Sequence, residues 1–318
     1  MTRFATLLIC AVSALAQAVP AGPSPTLRDI RYGEHPKQTI DFYKATSGPP
    51  TPLVVFIHGG GWTAGTKSNV PGLAQFLDSG ISVASVEYRF IQDAMELGIQ
   101  PPVRAPLYDA ARAIQLLRSR AGELNFDKKR VAYMGGSAGA CTSLWLALHD
   151  DLADPSSSDP IARESTRPML IAVTAPQTSL DPLQTRSWIP NMGYAGHAFG
   201  FRAEGRTRPQ EFQMAYDARE KILAWIHEYS PYEHASAGDP PIYMDYPNQK
   251  EPVVPGTNQK DPTHSAILGL KMAERLTEVG VEVHLNYPER PASIKSAQEF
   301  VLDRLAVSRG TAKQSSVP

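Results

Sequence analysis

The chain has 318 residues, enough for one α/β domain with a large insertion, and its 42% hydrophobic and 20% charged content is that of a packed globular protein, not a disordered one. Lysine and arginine total 31 against 32 aspartates and glutamates, so there is no basic excess to neutralise nucleic-acid phosphates or to hold an anionic membrane surface. Nucleic acid and membrane are therefore set aside as partners, and oligomeric state is left open.

At the N-terminus, Arg3 precedes an apolar stretch over residues 5–16 and the A-x-A-like run Ala16-Gln17-Ala18. That is the pattern of a cleaved export signal over residues 1–18, predicting a mature start near Val19 and a secreted or periplasmic location. The stretch is too short to span a bilayer, and no later one approaches the ~20 apolar residues a span needs. Cys10 sits mid-run behind bulky Leu8 and Ile9, a poor setting for a lipid anchor. Without the signal only Cys141 remains, so no intrachain disulfide can form and stability must come from packing.

Residues 20–26 hold three prolines, and a flexible leader is expected over 19–29 before a domain over 30–310. Residues 30–32 and 39–43 read as paired edge strands. The continuous apolar run 53–57 reads as a buried central strand ending in glycines, and 81–88 as the next strand. An amphipathic helix over 107–120 presents Ala110, Ile114 and Leu117 on one side, then a strand at 130–134 runs into a helix at 141–148. Strands follow at 169–174 and 241–246. The segment between them, about 178–238, is read as a cap insertion holding a helix from 209 to about 229, with Trp225 and Ile226 packing downward. A helix over 266–279 closed by Gly280, a strand over 281–287 and a helix over 297–305 complete the chain. This alternation predicts an α/β fold with a mostly parallel sheet covered by helices on both faces.

Two glycine-rich runs carry the chemistry. In Gly135-Gly136-Ser137-Ala138-Gly139 the glycines permit a sharp strand-to-helix turn that lifts the serine hydroxyl out at the strand's end. The run His58-Gly59-Gly60-Gly61-Trp62 follows a buried strand and exposes backbone amides for no packing benefit. The amides of Gly60 and Gly61, with that of Ala138, are candidates to bind the oxyanion formed when Ser137 attacks an acyl carbonyl. His58 reads as a brace for this loop, and Trp62 as a residue packed against the domain. His197, in Gly196-His197-Ala198-Phe199-Gly200, either lines the pocket or makes a local hydrogen bond, the latter being the simpler reading. No cluster has metal-site spacing and no phosphate-binding glycine loop is present, so no cofactor is expected.

Both runs, their order and their spacing resemble the α/β-hydrolase superfamily, in its HGGG-type carboxylesterase and lipase branch, which includes hormone-sensitive-lipase-like and bacterial feruloyl-esterase-like enzymes. The resemblance covers roughly residues 30–305 and takes in Glu87-Tyr88-Arg89 and the helix bearing Asp109. It implies Ser137 as nucleophile, an acid after the strand at 241–246 and a histidine after the strand at 281–287. For the acid it points to Asp261, in Lys260-Asp261-Pro262-Thr263-His264-Ser265, with Asp245 as competitor. It also implies a small-molecule or polysaccharide ester as substrate.

The histidine departs from that pattern, because none occurs anywhere from 285 to 318. A serine hydroxyl needs a base at neutral pH. His284 lies inside the last strand, where alternation makes it a sheet-face residue. His264 shares the acid loop and would approach from a non-standard side. Lys295 sits near the expected place and would serve only if burial lowered its pKa. Two readings stay open: a serine carboxylesterase with an unassigned base, or a hydrolase fold that has lost catalysis and binds a ligand or carbohydrate.

Overall fold

The computed structural model describes residues 22–46, 48–202 and 204–305; the expected export signal, the start of the leader and the end of the domain lie outside them. The strands are β1 (Leu27–Arg31), β2 (Thr39–Tyr43), β3 (Thr51–Ile57), β4 (Ser82–Val86), β5 (Phe126–Gly136), β6 (Leu170–Thr174), β7 (Ile242–Asp245) and β8 (Val283–Asn286). They form one eight-stranded sheet in the order β1-β2-β4-β3-β5-β6-β7-β8. β1 and β2 pair antiparallel at one edge, β2 joins β4 antiparallel, and every other pairing is parallel.

Alternation within the central strands builds the two sides of the core. Val54 and Phe56 of β3 turn to one face, where they meet Phe76 of α1 (Leu73–Asp78) and Phe300 and Val301 of α11 (Ala297–Leu305). Leu53, Val55 and Ile57 turn to the other, under α2 (Ile91–Glu96), α3 (Arg104–Ser119), α4 (Ala121–Leu124), α5 (Ala138–Leu148) and α10 (Ala266–Glu278). Every residue of α5 is buried, which explains why its sequence carries no charged residue on any side. From β3 the chain passes to β4 on one side and later to β5 on the other, so the C-terminal ends of β3 and β5 flank the point where strand order reverses, the usual place for a ligand crevice in an open α/β sheet. Both glycine runs leave the sheet there.

Three expectations need correction. β1 begins at Leu27, inside the stretch read as leader, because the Asp29 amide donates to Asp41 Oδ1 at 3.0 Å and its carboxylate accepts from Lys67 at 2.7 Å. β5 starts at Phe126, ahead of the expected 130, because Lys128 and Lys129 are exposed and hid the strand's first half from an apolar pattern. The single helix expected over 209–229 is two, α7 (Arg208–Asp217) and α8 (Leu223–Tyr229), with a 3₁₀ turn at Arg219–Lys221. Arg219 pairs bidentately with Asp181 at 2.9 and 2.7 Å and fixes that joint. Phe212 then packs with Trp188, and Ile226 joins the main core, a division one straight helix cannot make. Asp181 also caps α6 (Pro182–Trp188), and α9 (Pro231–His234) ends the segment between β6 and β7. Among the described residues no helix is long and apolar enough to cross a membrane.

Candidate active site

Ser137 sits at the β5–α5 turn with φ 52° and ψ −120°, a backbone conformation costly for a residue with a side chain and tolerated where surrounding structure imposes it. The flanking glycines impose it. A Cβ on Gly139 would lie 2.0 Å from the Ile57 carbonyl oxygen, and one on Gly135 2.6 Å from the Gly139 carbonyl. The Ser137 amide donates to Thr174 O at 2.9 Å, and its carbonyl accepts from Cys141 N at 2.9 Å, so the turn is tied to β6 and to the first turn of α5.

Ser137 Oγ lies 2.9 Å from Nε2 of His264, and Nδ1 of the same ring lies 2.9 Å from Oδ2 of Asp261. Because a carboxylate can only accept, Nδ1–H donates to Asp261 and leaves Nε2 free to accept the serine proton. Both residues stand on one 3₁₀ turn, Pro262–His264, which Asp261 caps by accepting from the His264 amide. Gln177 holds this turn by donating to Thr263 O at 2.9 Å. An amide network fixes the loop that carries it: buried Gln259 exchanges hydrogen bonds with Asn191 at 3.0 and 2.7 Å, and buried Gln249 bonds both Gln259 and the first amide of α10. The pair itself is open to solvent, with 36% of the His264 side chain and 64% of the Asp261 side chain exposed.

The other candidate residues lie elsewhere. His284 is on β8, bonded to Glu282 at 2.8 Å, as its strand position predicted. Lys295 is exposed, and its amide donates to Glu299. Asp245 is buried at the end of β7 and accepts from Asn286 at 2.9 Å; burial raises its pKa, and it does not touch His264. The imidazole facing the serine comes from the loop after β7, where His264 had been one of the candidates.

The loop after β3 is bent back upon itself, with φ of 104° at Gly60, 62° at Gly61 and 55° at Trp62. It lies so close to the serine turn that a Cβ on Gly59 would come within 2.6 Å of Gly136 O. Both ring nitrogens of His58 face oxygens, Gly59 O and Glu87 Oε1, each at 2.8 Å, and the Tyr88 hydroxyl donates to His58 O at 2.7 Å. His58 is thus the brace its sequence context suggested. Trp62 is fully buried and donates to Thr142 Oγ1 at 3.0 Å. Gly60 and Gly61 donate their amides to no carbonyl of the described fold, and the Ala138 amide opens α5, where no helical acceptor exists.

His197 makes neither the pocket wall nor the local bond expected of it. From the cap, fully buried, it donates Nε2–H to Gly61 O at 3.0 Å, and Tyr194 stands edge-on to it with ring centroids 4.9 Å apart. Burial, then the charge of Arg208, pushes the His197 pKa down to about 3. An imidazole that is neutral when folded but titrates near 6.5 when unfolded adds stability that is complete above pH 6.5 and drains away as pH falls towards 3. Between pH 7 and pH 5 its share of the loss is about 2 kcal/mol. Urea unfolding at both pH values should show His197→Gln, which keeps an N–H donor, losing less stability on acidification than the parent; an equal loss would refute a neutral buried His197.

The BD-FAE family model matches residues 40–262, from β2 to the Asp261 turn and over two thirds of the chain. The chain belongs to the BD-FAE family. Among curated relatives, an arylesterase of Saccharolobus solfataricus is 33% identical over 139 residues, 41% of this chain and 42% of that protein. A probable isoprenylcysteine alpha-carbonyl methylesterase of Arabidopsis thaliana is 34% identical over 120 residues, 37% of this chain and 26% of that protein. The chain spans less than half the length of these relatives. Among solved structures, an acetyl ester-xyloside bifunctional hydrolase from Caldicellulosiruptor lactoaceticus superposes with a TM-score of 0.60 at 22% identity, over 90% of this chain and 93% of that one. Esterase 2 of Thermogutta terrifontis, phosphonylated by cyclosarin, gives 0.59 at 18% identity, over 89% and 92%. The fold of this BD-FAE member is the α/β-hydrolase fold. The family match stops at residue 262, just short of His264.

Proposed function

We propose that the chain is a serine carboxylesterase that cleaves acyl esters, with Ser137 as nucleophile, His264 as general base and acid, and Asp261 as the group that orients the imidazole. The Ser137–His264–Asp261 relay, 2.9 Å at each step, carries this reading. Ser137 Oγ attacks the acyl carbon as His264 Nε2 takes its proton. The carbonyl oxygen becomes an oxyanion held by the amides of Gly60, Gly61 and Ala138, and His264 returns the proton to the departing alkoxide. Water, deprotonated by the same imidazole, then releases the acid and regenerates the serine. Each amide donor in such a site is worth on the order of 3 kcal/mol.

The binding-only alternative rested on a missing base, and the 2.9 Å contact between His264 Nε2 and Ser137 Oγ supports the enzyme reading over it. Support also comes from the esterase names of the relatives. The test is covalent: a fluorophosphonate probe is expected to leave one adduct on the protein, located at Ser137 by peptide mass analysis and lost in Ser137→Ala. A protein that takes up no probe and turns over no p-nitrophenyl ester would be a binding protein.

A further inference from the structure

A cavity of about 580 Å³ opens beside Ser137 and His264, within the range of small-molecule sites. Its lining comes from the ends of β3, β5, β6 and β7 and the loops after them, and no described residue from β8 onward contributes. The resemblance places a histidine on the loop after β8. Here that loop carries none, the base stands on the acid loop instead, and space next to the serine is open.

The chemistry of the lining is one-sided. Phe56, Pro71, Met134, Ala175 and Pro247 make it mainly apolar. Of its polar groups, the Tyr246 hydroxyl is committed to Pro176 O at 2.9 Å, and the Gln249 amide to Ala266 N, Glu251 O and Gln259 Oε1. Asp261 is engaged by His264. That leaves the Thr174 hydroxyl, the Asn248 amide and the Glu251 carboxylate; Glu251 is the one charged group of the three, it has no salt-bridge partner among the described residues, and no lysine or arginine is among the described residues that line the cavity. The cavity runs along His264 and Asp261, and the leaving oxygen must collect its proton from His264 Nε2, so the alcohol half of an ester departs on this side.

Building on the proposed esterase activity, we propose that this cavity is the alcohol subsite, shaped for a ring-sized neutral or cationic alcohol, and that Glu251 selects against anionic ones. An anion there would face an unpaired carboxylate across a low-dielectric wall, whereas a cation or hydroxyl would find an acceptor.

The experiment compares three acetate esters that differ in the alcohol: 4-acetoxybenzoate, 4-acetoxybenzyl alcohol and 4-acetoxyphenyltrimethylammonium. Intrinsic leaving-group reactivity cancels when kcat/KM ratios are compared between enzyme variants. At low ionic strength the cation-to-anion ratio should fall about fivefold in Glu251→Gln and about twentyfold or more in Glu251→Lys. Because Gln249 is held by the Glu251 backbone carbonyl, either substitution leaves that anchor in place. A charge on the acyl side supplies the control: the ratio of p-nitrophenyl hemisuccinate to p-nitrophenyl butyrate should stay constant. Turnover with unchanged alcohol ratios, or a shift confined to the acyl pair, would overturn the subsite assignment and leave the esterase reading intact. Absence of turnover with every ester would overturn both.

Discussion

His264→Ala is expected to lower kcat for p-nitrophenyl butyrate by about 10⁴–10⁶-fold, matching Ser137→Ala, with KM changed by less than about threefold. The reason is that serine and imidazole act as a unit. Without Nε2 at 2.9 Å the hydroxyl must lose its proton to water, and what survives is the contribution of the oxyanion amides and of binding. Losses within such a unit are not additive, so the double variant Ser137→Ala, His264→Ala should be no worse than either single one. His284→Ala and Lys295→Ala, both outside the site, should keep kcat/KM within about twofold. A Lys295→Ala enzyme as damaged as His264→Ala would return the base to the loop after β8. Exposure of the imidazole adds a sharper consequence. With 36% of the His264 side chain open to solvent, the space it leaves in His264→Ala connects to bulk water, and free imidazole should restore part of the activity in proportion to its concentration.

How far the sequence foretold this site depends on which physical signal each part required. The runs at 53–57 and 135–139 could be read because an apolar strand ending in glycines has few other uses, and the structure places each of those glycines except Gly136 against backbone that tolerates no Cβ or at a left-handed φ. Asp261 was placed by chain order. The imidazole beside Ser137 was harder to place because chain order pointed elsewhere: the resemblance implied a histidine after β8, while serine chemistry needs only an imidazole within reach of the hydroxyl and a carboxylate behind it. The spacing Asp261-Pro262-Thr263-His264 was in plain view. Its meaning appears only once Pro262 starts a 3₁₀ turn, in which residues three apart stack on one side and Nδ1 meets Oδ2. His197 could not have been assigned at all, since its partner Gly61 lies 136 residues away across a cap with no periodic pattern. The broken helix at Arg219 is a similar case, decided by a charge pair to Asp181 and not by local propensity.

Asp261 gives the second large effect, and one that separates two roles of its carboxylate. Asp261→Asn is expected to reduce kcat by about 10³–10⁴-fold with KM nearly constant. In the native turn Oδ1 caps the 3₁₀ helix at the His264 amide, 3.3 Å away, while Oδ2 takes the Nδ1 proton. An asparagine that keeps its oxygen on the amide must turn its NH₂ towards Nδ1. The ring then adopts the tautomer with the proton on Nε2, where it faces the serine hydroxyl and cannot accept from it. Asp261→Ala removes the carboxylate but imposes no tautomer. Since 64% of the native side chain is exposed, water can take the Nδ1 proton in its place, and the loss should be smaller, about 10²-fold. Alanine should instead cost about 1 kcal/mol of stability through the lost cap. The order is therefore diagnostic: asparagine worse than alanine in kcat means that holding the tautomer is the main task of Asp261. Alanine worse than asparagine would mean that the negative charge, stabilising the imidazolium formed in the transition state, outweighs it even in a site this wet.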